Sequence, residues 1–89
     1  MRIDRYISAN RVIDLSSQDL KKAYAELLGT FQNLLPSPHS RKKVLQELIT
    51  REQAITSYLG EGVALPHARV KMNRPFALAI GRCPTGLSF

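Results

Sequence analysis

The chain has 89 residues, 44% of them apolar and 22% charged, and 13 Lys and Arg against 7 Asp and Glu give a formal net charge of +6. That length allows one domain at most, with a modest core, and the balance is that of a soluble globular chain. No apolar run approaches the ~20 residues of a membrane span, Met1-Arg2-Ile3-Asp4-Arg5 has no apolar block after it to make a secretory signal, and one cysteine, Cys83, cannot form an intrachain disulfide.

The excess positive charge makes nucleic acid or an acidic partner surface a candidate ligand. It is not gathered in one block. Lys21 and Lys22 open one expected helix, Arg41, Lys42 and Lys43 open another, and Arg69, Lys71 and Arg74 flank a histidine. Solvated helix faces account for the first two groups, so the third alone lies beside a candidate site.

In chain order, residues 2–9 read as a helical turn or short arm. Val12-Ile13-Asp14-Leu15 is β-branched and apolar and predicts a short strand. Ser16 is placed to cap a helix, with Asp19 returning the bond as in a capping box. The helix then runs from about Gln18 to Leu34. Leu20, Ala23, Tyr24, Leu27, Leu28, Phe31, Leu34 and Leu35 make one stripe at spacings of three and four. Lys21, Lys22, Glu26 and Gln32 face the other way. Gly29 falls near the middle, weakens the helix by about 1 kcal/mol against alanine, and offers another element a close approach. Pro36 breaks the chain. Ser37 can cap a second helix with Pro38 at its first position, extending to Arg51 or Glu52 and burying Val44, Leu45, Leu48 and Ile49. His39 is an exposed first-turn residue with no assigned role.

Residues 53–62 have loop chemistry. Val63, Ala64 and Leu65 predict a short buried strand, ended by Pro66. Lys71 to Pro75 is polar. Phe76-Ala77-Leu78-Ala79-Ile80 is a continuous apolar run, expected to be a strand covered on both faces. Gly81 to Gly86 closes with turn residues, and Cys83 beside the apolar run predicts a buried reduced thiol. Strand, helix, helix, strand, strand suggests an α/β layered domain.

The chain is organised around Gly60-Glu61-Gly62-Val63-Ala64-Leu65-Pro66-His67-Ala68-Arg69. Its glycines allow backbone angles closed to other residues, and Pro66 stiffens the step into His67, which is thereby held at a strand end. Imidazole is nucleophilic near neutral pH. General base, metal ligand and covalent carrier are its possible roles. His39 and Cys83 do not complete a zinc spacing, so no metal or other cofactor is expected. No nucleophile elbow and no Walker loop occur. Phosphoryl transfer fits better, with glycine-region N–H groups and Arg51 or Arg69 meeting a dianion. An arbitrary Pro-His pair would be an inert hydrogen-bonded loop, and Arg51 by itself would be a helix C-terminal arginine meeting the dipole.

The flanking pattern decides between these readings. Arg51-Glu52, Ser57 and Gly60-x-Gly62-Val63-Ala64-Leu65-Pro66-His67-Ala68 resemble the active-site signature of the type-2 enzyme IIA domains of the bacterial phosphoenolpyruvate-dependent phosphotransferase system (PTS), the fructose/mannitol/nitrogen-regulatory class. The resemblance spans nearly the whole chain. It implies a layered α/β sandwich with a mixed sheet flanked by helices, and a cytoplasmic phosphotransferase component without cofactor. It implies that His67 takes a phosphoryl group from the phosphocarrier HPr and passes it to a cysteine on an enzyme IIB domain. Arg51 would be the supporting cation. Ser57, where the family usually has threonine, would bond the imidazole or a phosphoryl oxygen, while Gly62 and Ala64 keep the approach small. The family domain continues beyond residue 89, where many members carry a second assisting histidine. Residues 1–89 are thus expected to be a single domain truncated on its C-terminal side, whose open sheet edges could pair with another copy.

Two further readings compete. A regulatory module of the nitrogen type would work by phosphorylation-dependent contact with a target protein rather than in sugar transport. A DNA-binding helical domain would explain the charge. However, Pro36 to Pro38 is an awkward turn for a helix-turn-helix, and no basic-aromatic interleaving suggests single-strand binding. Nucleic acid and direct membrane insertion are therefore not expected.

Overall fold

The computed structural model describes residues 8–31, 34–35, 37–68 and 77–87. The elements run as a 3-10 turn Ala9–Arg11, β1 Val12–Asp14, α1 Leu20–Gly29, α2 Pro38–Ala54, β2 Tyr58–Gly60, β3 Val63–Ala64 and β4 Ile80–Arg82. The arm at residues 2–7, Gln32, Pro36, and the segment from Arg69 through Phe76 with its basic residues lie outside the described residues.

Local chemistry sets both helix starts. At α2 the Ser37 hydroxyl accepts from the His39 and Ser40 amides, and Pro38 follows where its missing N–H costs nothing. His39 is exposed there, as expected. At α1 the cap is Asp19, whose carboxylate accepts from the Lys22 amide at 3.0 Å. This corrects the expected Ser16–Asp19 capping box. The Ser16 amide and hydroxyl both donate to Glu26 Oε1 instead, which ties the end of β1 to the exposed side of α1 and holds the Glu26 carboxyl below its ordinary range.

The first helix is also shorter than its apolar stripe. It ends at Gly29, with the Thr30 amide and hydroxyl both donating to the Leu27 carbonyl. Phe31, Leu34 and Leu35 continue as a turn closed by Leu35 N–H donating to Phe31 O. Gly29 therefore sits at the helix end, and none of the described residues comes within 4 Å of where its Cβ would be, so it serves no close approach among them.

The helices pack on each other. Leu28, Leu35 and Val44 are buried, with Phe31, Leu45 and Leu48 against them. Each fully buried aliphatic side chain of this kind stabilises by roughly 1.5–3 kcal/mol. Ala23 and Tyr24 are also buried on α1.

The two strands at the chain's ends pair in parallel, with Val12 opposite Ile80, Ile13 opposite Gly81 and Asp14 opposite Arg82. Parallel pairing needs a long crossover, and both helices lie within it. Gly81 packs closely on Leu15 here. A Cβ at that position would meet the Leu15 side chain at 2.9 Å. The expected strand at 76–80 is thus displaced to Ile80–Arg82. Its three residues are exposed rather than covered on both faces; among the described residues β1 is its sheet neighbour and α1 contacts it. Arg82 and Asp14 form a surface ion pair at 2.9 Å. Cys83 is half-buried rather than buried, and its thiol donates to Gly86 O at 3.2 Å.

β2 and β3 form an antiparallel hairpin, Tyr58 opposite Ala64 and Gly60 opposite Val63, with an irregularity at Leu59. Residues expected to be loop thus pair as a strand. Gly60, Glu61 and Gly62 all have positive φ, at 97°, 55° and 79°, which gives the turn its tight reversal. The Tyr58 hydroxyl accepts from the Gly62 amide at 3.0 Å. The expectation of a buried strand at 63–65 fails, since Val63 is 54% and Leu65 58% exposed. A two-stranded hairpin has a cover on neither face unless another element supplies one.

Among the described residues the fold is thus a small mixed helix-and-sheet arrangement of the α/β kind, with one parallel and one antiparallel pair. Among the described residues no helix is long and apolar enough to cross a membrane.

Candidate functional site

The end of α2 and the end of β3 enclose an open cleft of ≈ 280 Å³. Its lining includes Arg51, Glu52, Thr56, Ser57, Pro66 and His67. Arg51, Ser57 and His67, singled out from sequence, are thereby brought to one place across sixteen residues of chain.

His67 is exposed. Its Nδ1 lies 3.0 Å from the Leu65 carbonyl oxygen. A carbonyl oxygen can only accept, so this contact is a hydrogen bond when Nδ1 carries the proton. In the neutral ring Nε2 then holds the lone pair. Leu65 N–H in turn donates to Ser57 O at 3.0 Å, extending the hairpin ladder by one rung.

Arg51 occupies the last turn of α2, and its Nε donates to Glu47 Oε1 at 2.8 Å, one helical turn back. Both partners are nearly half exposed, so this pair adds little stability.

Glu52 is the residue whose role sequence reasoning missed, although the motif contains it. Its Oε1 accepts from the Tyr24 hydroxyl at 2.7 Å and the Ser57 hydroxyl at 2.6 Å. Its Oε2 accepts from the Ser57 amide at 2.7 Å and the Thr56 hydroxyl at 2.8 Å. Burial by itself would raise this carboxyl, but the donors from Ser57, Tyr24 and Thr56 outweigh it and bring it down to about 2. The Tyr24 phenol goes the other way, to about 12. Burial is the main cause, opposed by a Ser57 hydrogen bond and reinforced by the bond to Glu52 and its charge. Tyr24 and Thr56 carried no site signal of their own, since an apolar-stripe tyrosine and a loop threonine read as structure.

Because Ser57 donates its one hydroxyl proton to Glu52, it presents lone pairs to the cleft. It cannot also donate to a phosphoryl oxygen. No group of three or more His, Cys, Asp or Glu side chains among the described residues could hold a metal ion.

No curated protein and no solved structure matches the chain. The family model described as phosphoenolpyruvate-dependent sugar phosphotransferase system, EIIA 2, matches residues 7–89. That span takes in the cleft, both helices and all four strands, so the chain belongs to this EIIA type-2 family, whose domains serve phosphoryl transfer in the sugar phosphotransferase system.

Proposed function

We propose that the chain is a cytoplasmic phosphoryl carrier, with His67 accepting phosphate from HPr and passing it to an enzyme IIB domain. The observation that carries this reading is the cleft itself: an exposed imidazole with Nδ1 turned to a carbonyl, beside Arg51 and Ser57. Nε2 attacks the phosphorus of the donor's phosphohistidine. The new P–Nε2 bond forms as the donor's P–N bond breaks, and that electron pair returns to the donor nitrogen. Such a transfer needs alignment and charge stabilisation more than covalent help. Leu65 O aligns the ring. Arg51, anchored through Nε, meets the phosphoryl oxygens with its terminal nitrogens, a task that suits a planar guanidinium better than an ammonium. Ser57 supports the site through its backbone, its carbonyl accepting from the Leu65 amide.

The full layered sandwich with one mixed sheet belongs to the same reading. Residues 1–89 would form the N-terminal part of that domain, with β1 and β4 inside a larger sheet.

The test is incubation with phosphoenolpyruvate, enzyme I and HPr, followed by a search for an acid-labile phosphohistidine. Labelling on His67, abolished in His67→Ala with the circular dichroism spectrum unchanged, is the expected result. A chain that stays unlabelled, or a label that survives His67→Ala, overturns the reading.

A further inference from the structure

The bonds around Glu52 do more than close the helix end. They join into one chain. Tyr24, 2% exposed on α1, donates to Glu52. Glu52 grips Ser57 at two points, amide and hydroxyl, which fixes that residue's backbone. Ser57 O accepts the Leu65 amide, and Leu65 O takes His67 Nδ1. A carboxylate has about four lone-pair sites, and four donors from three residues reach this one. Its orientation is therefore determined, and the determination passes down the links.

We propose that Glu52 is a positioning residue for His67, acting through the hydrogen-bonded chain Tyr24–Glu52–Ser57–Leu65–His67 to hold the imidazole in its Nδ1–H tautomer with Nε2 toward the cleft. Its effect on rate rests on the reading of His67 as phosphoryl acceptor. Its effect on the ring does not. The chain also explains how a site on an exposed hairpin is held in place. The hairpin's own side chains are half or more exposed at Leu59, Val63 and Leu65, and Glu52 joins it to a side chain buried on the helices.

The experiment uses the whole 89-residue chain, labelled with ¹⁵N, and reads the His67 ring nitrogens at a pH where the imidazole is neutral. The wild type is expected to show the Nδ1–H tautomer. Glu52→Gln replaces two acceptor oxygens by one, so it breaks the grip on Ser57. The ring should shift toward the Nε2–H tautomer, and phosphoryl uptake from HPr should fall roughly tenfold, the factor of one hydrogen bond. Tyr24→Phe should move both readings the same way by less. Ser57→Ala keeps the amide bond to Glu52 and the rung to Leu65, so it should keep the tautomer. A folded Glu52→Gln protein with an unchanged ring and wild-type uptake overturns the proposal. If Glu52→Gln does not fold, Tyr24→Phe decides, and an unmoved tautomer there overturns it equally. A ring that responds to Glu52→Gln in a chain that HPr never labels would leave this inference standing and remove the carrier reading.

Discussion

The helical pair and the hairpin are built on opposite principles. Between α1 and α2, Leu28, Leu35 and Val44 are buried and Phe31, Leu45 and Leu48 close around them. The β2–β3 hairpin leaves Leu59 69% exposed and Val63 more than half so. Its form depends on backbone conformation, with three consecutive residues at positive φ. The nucleophile candidate sits on the weakly covered side. The difference teaches how exposure and precision coexist. On the carrier reading the ring needs to be open to an incoming protein, and a polar tether to a packed helix supplies the rigidity that burial cannot.

Breaking the packed side should have the largest effect. Leu28→Ala removes the centre of the buried cluster and should cost about 2–3 kcal/mol, read as a lower urea midpoint. Helix signal and site should be lost together. If the hairpin kept its phosphoryl uptake after the helices had melted, the two regions would be independent and the tether irrelevant. Gly62→Ala acts on the other side. Its φ is 79° and nothing lies within 4 Å of the added Cβ, so the cost is conformational, about 1 kcal/mol. The helix signal should be unchanged while uptake at His67 falls, and a parallel loss of both would blur the distinction drawn here.

The smallest expected effect comes from titrating the tether. Glu52 ionises at about 2 in the folded chain against 4.5 for the ordinary carboxyl. Folding thus favours its charged form. The stabilisation is complete above about 4.5 and is lost as pH falls through about 2. With solvent screening it is on the order of 1 kcal/mol. An acid titration should therefore show stability declining between those limits, and less steeply in Glu52→Gln. Equal slopes would mean that the carboxylate holds nothing.

Much of this was legible because it is local. Ser37-Pro38 starts a helix wherever it stands, since cap and missing donor act within one turn. The glycines at 60 and 62 announce backbone angles that other residues resist, and both have positive φ. Gly-x-Ala-x-Pro-His with Arg51-Glu52 upstream pointed to the family, and the cleft contains Arg51, Ser57 and His67 together. What misled were apolar runs read without knowledge of their neighbours. The stripe through Leu34 outlasts α1, which ends at Gly29. Val63 to Leu65 and Ala77 to Ile80 look equally buried in sequence, yet cover depends on which element arrives.

Sequence by itself determined the Ser37 cap and the backbone freedom at Gly60 and Gly62, and it singled out His67 as the candidate ring, since each follows from a residue's own stereochemistry or its nearest neighbours. The tertiary structure alone decided that Val12 meets Ile80 across the two helices, and that Tyr24, twenty-eight residues before Glu52, donates to it. No short-range pattern encodes those contacts. They arise when burial of the helix stripes brings distant donors and acceptors within bonding reach, and the ring's orientation follows from them.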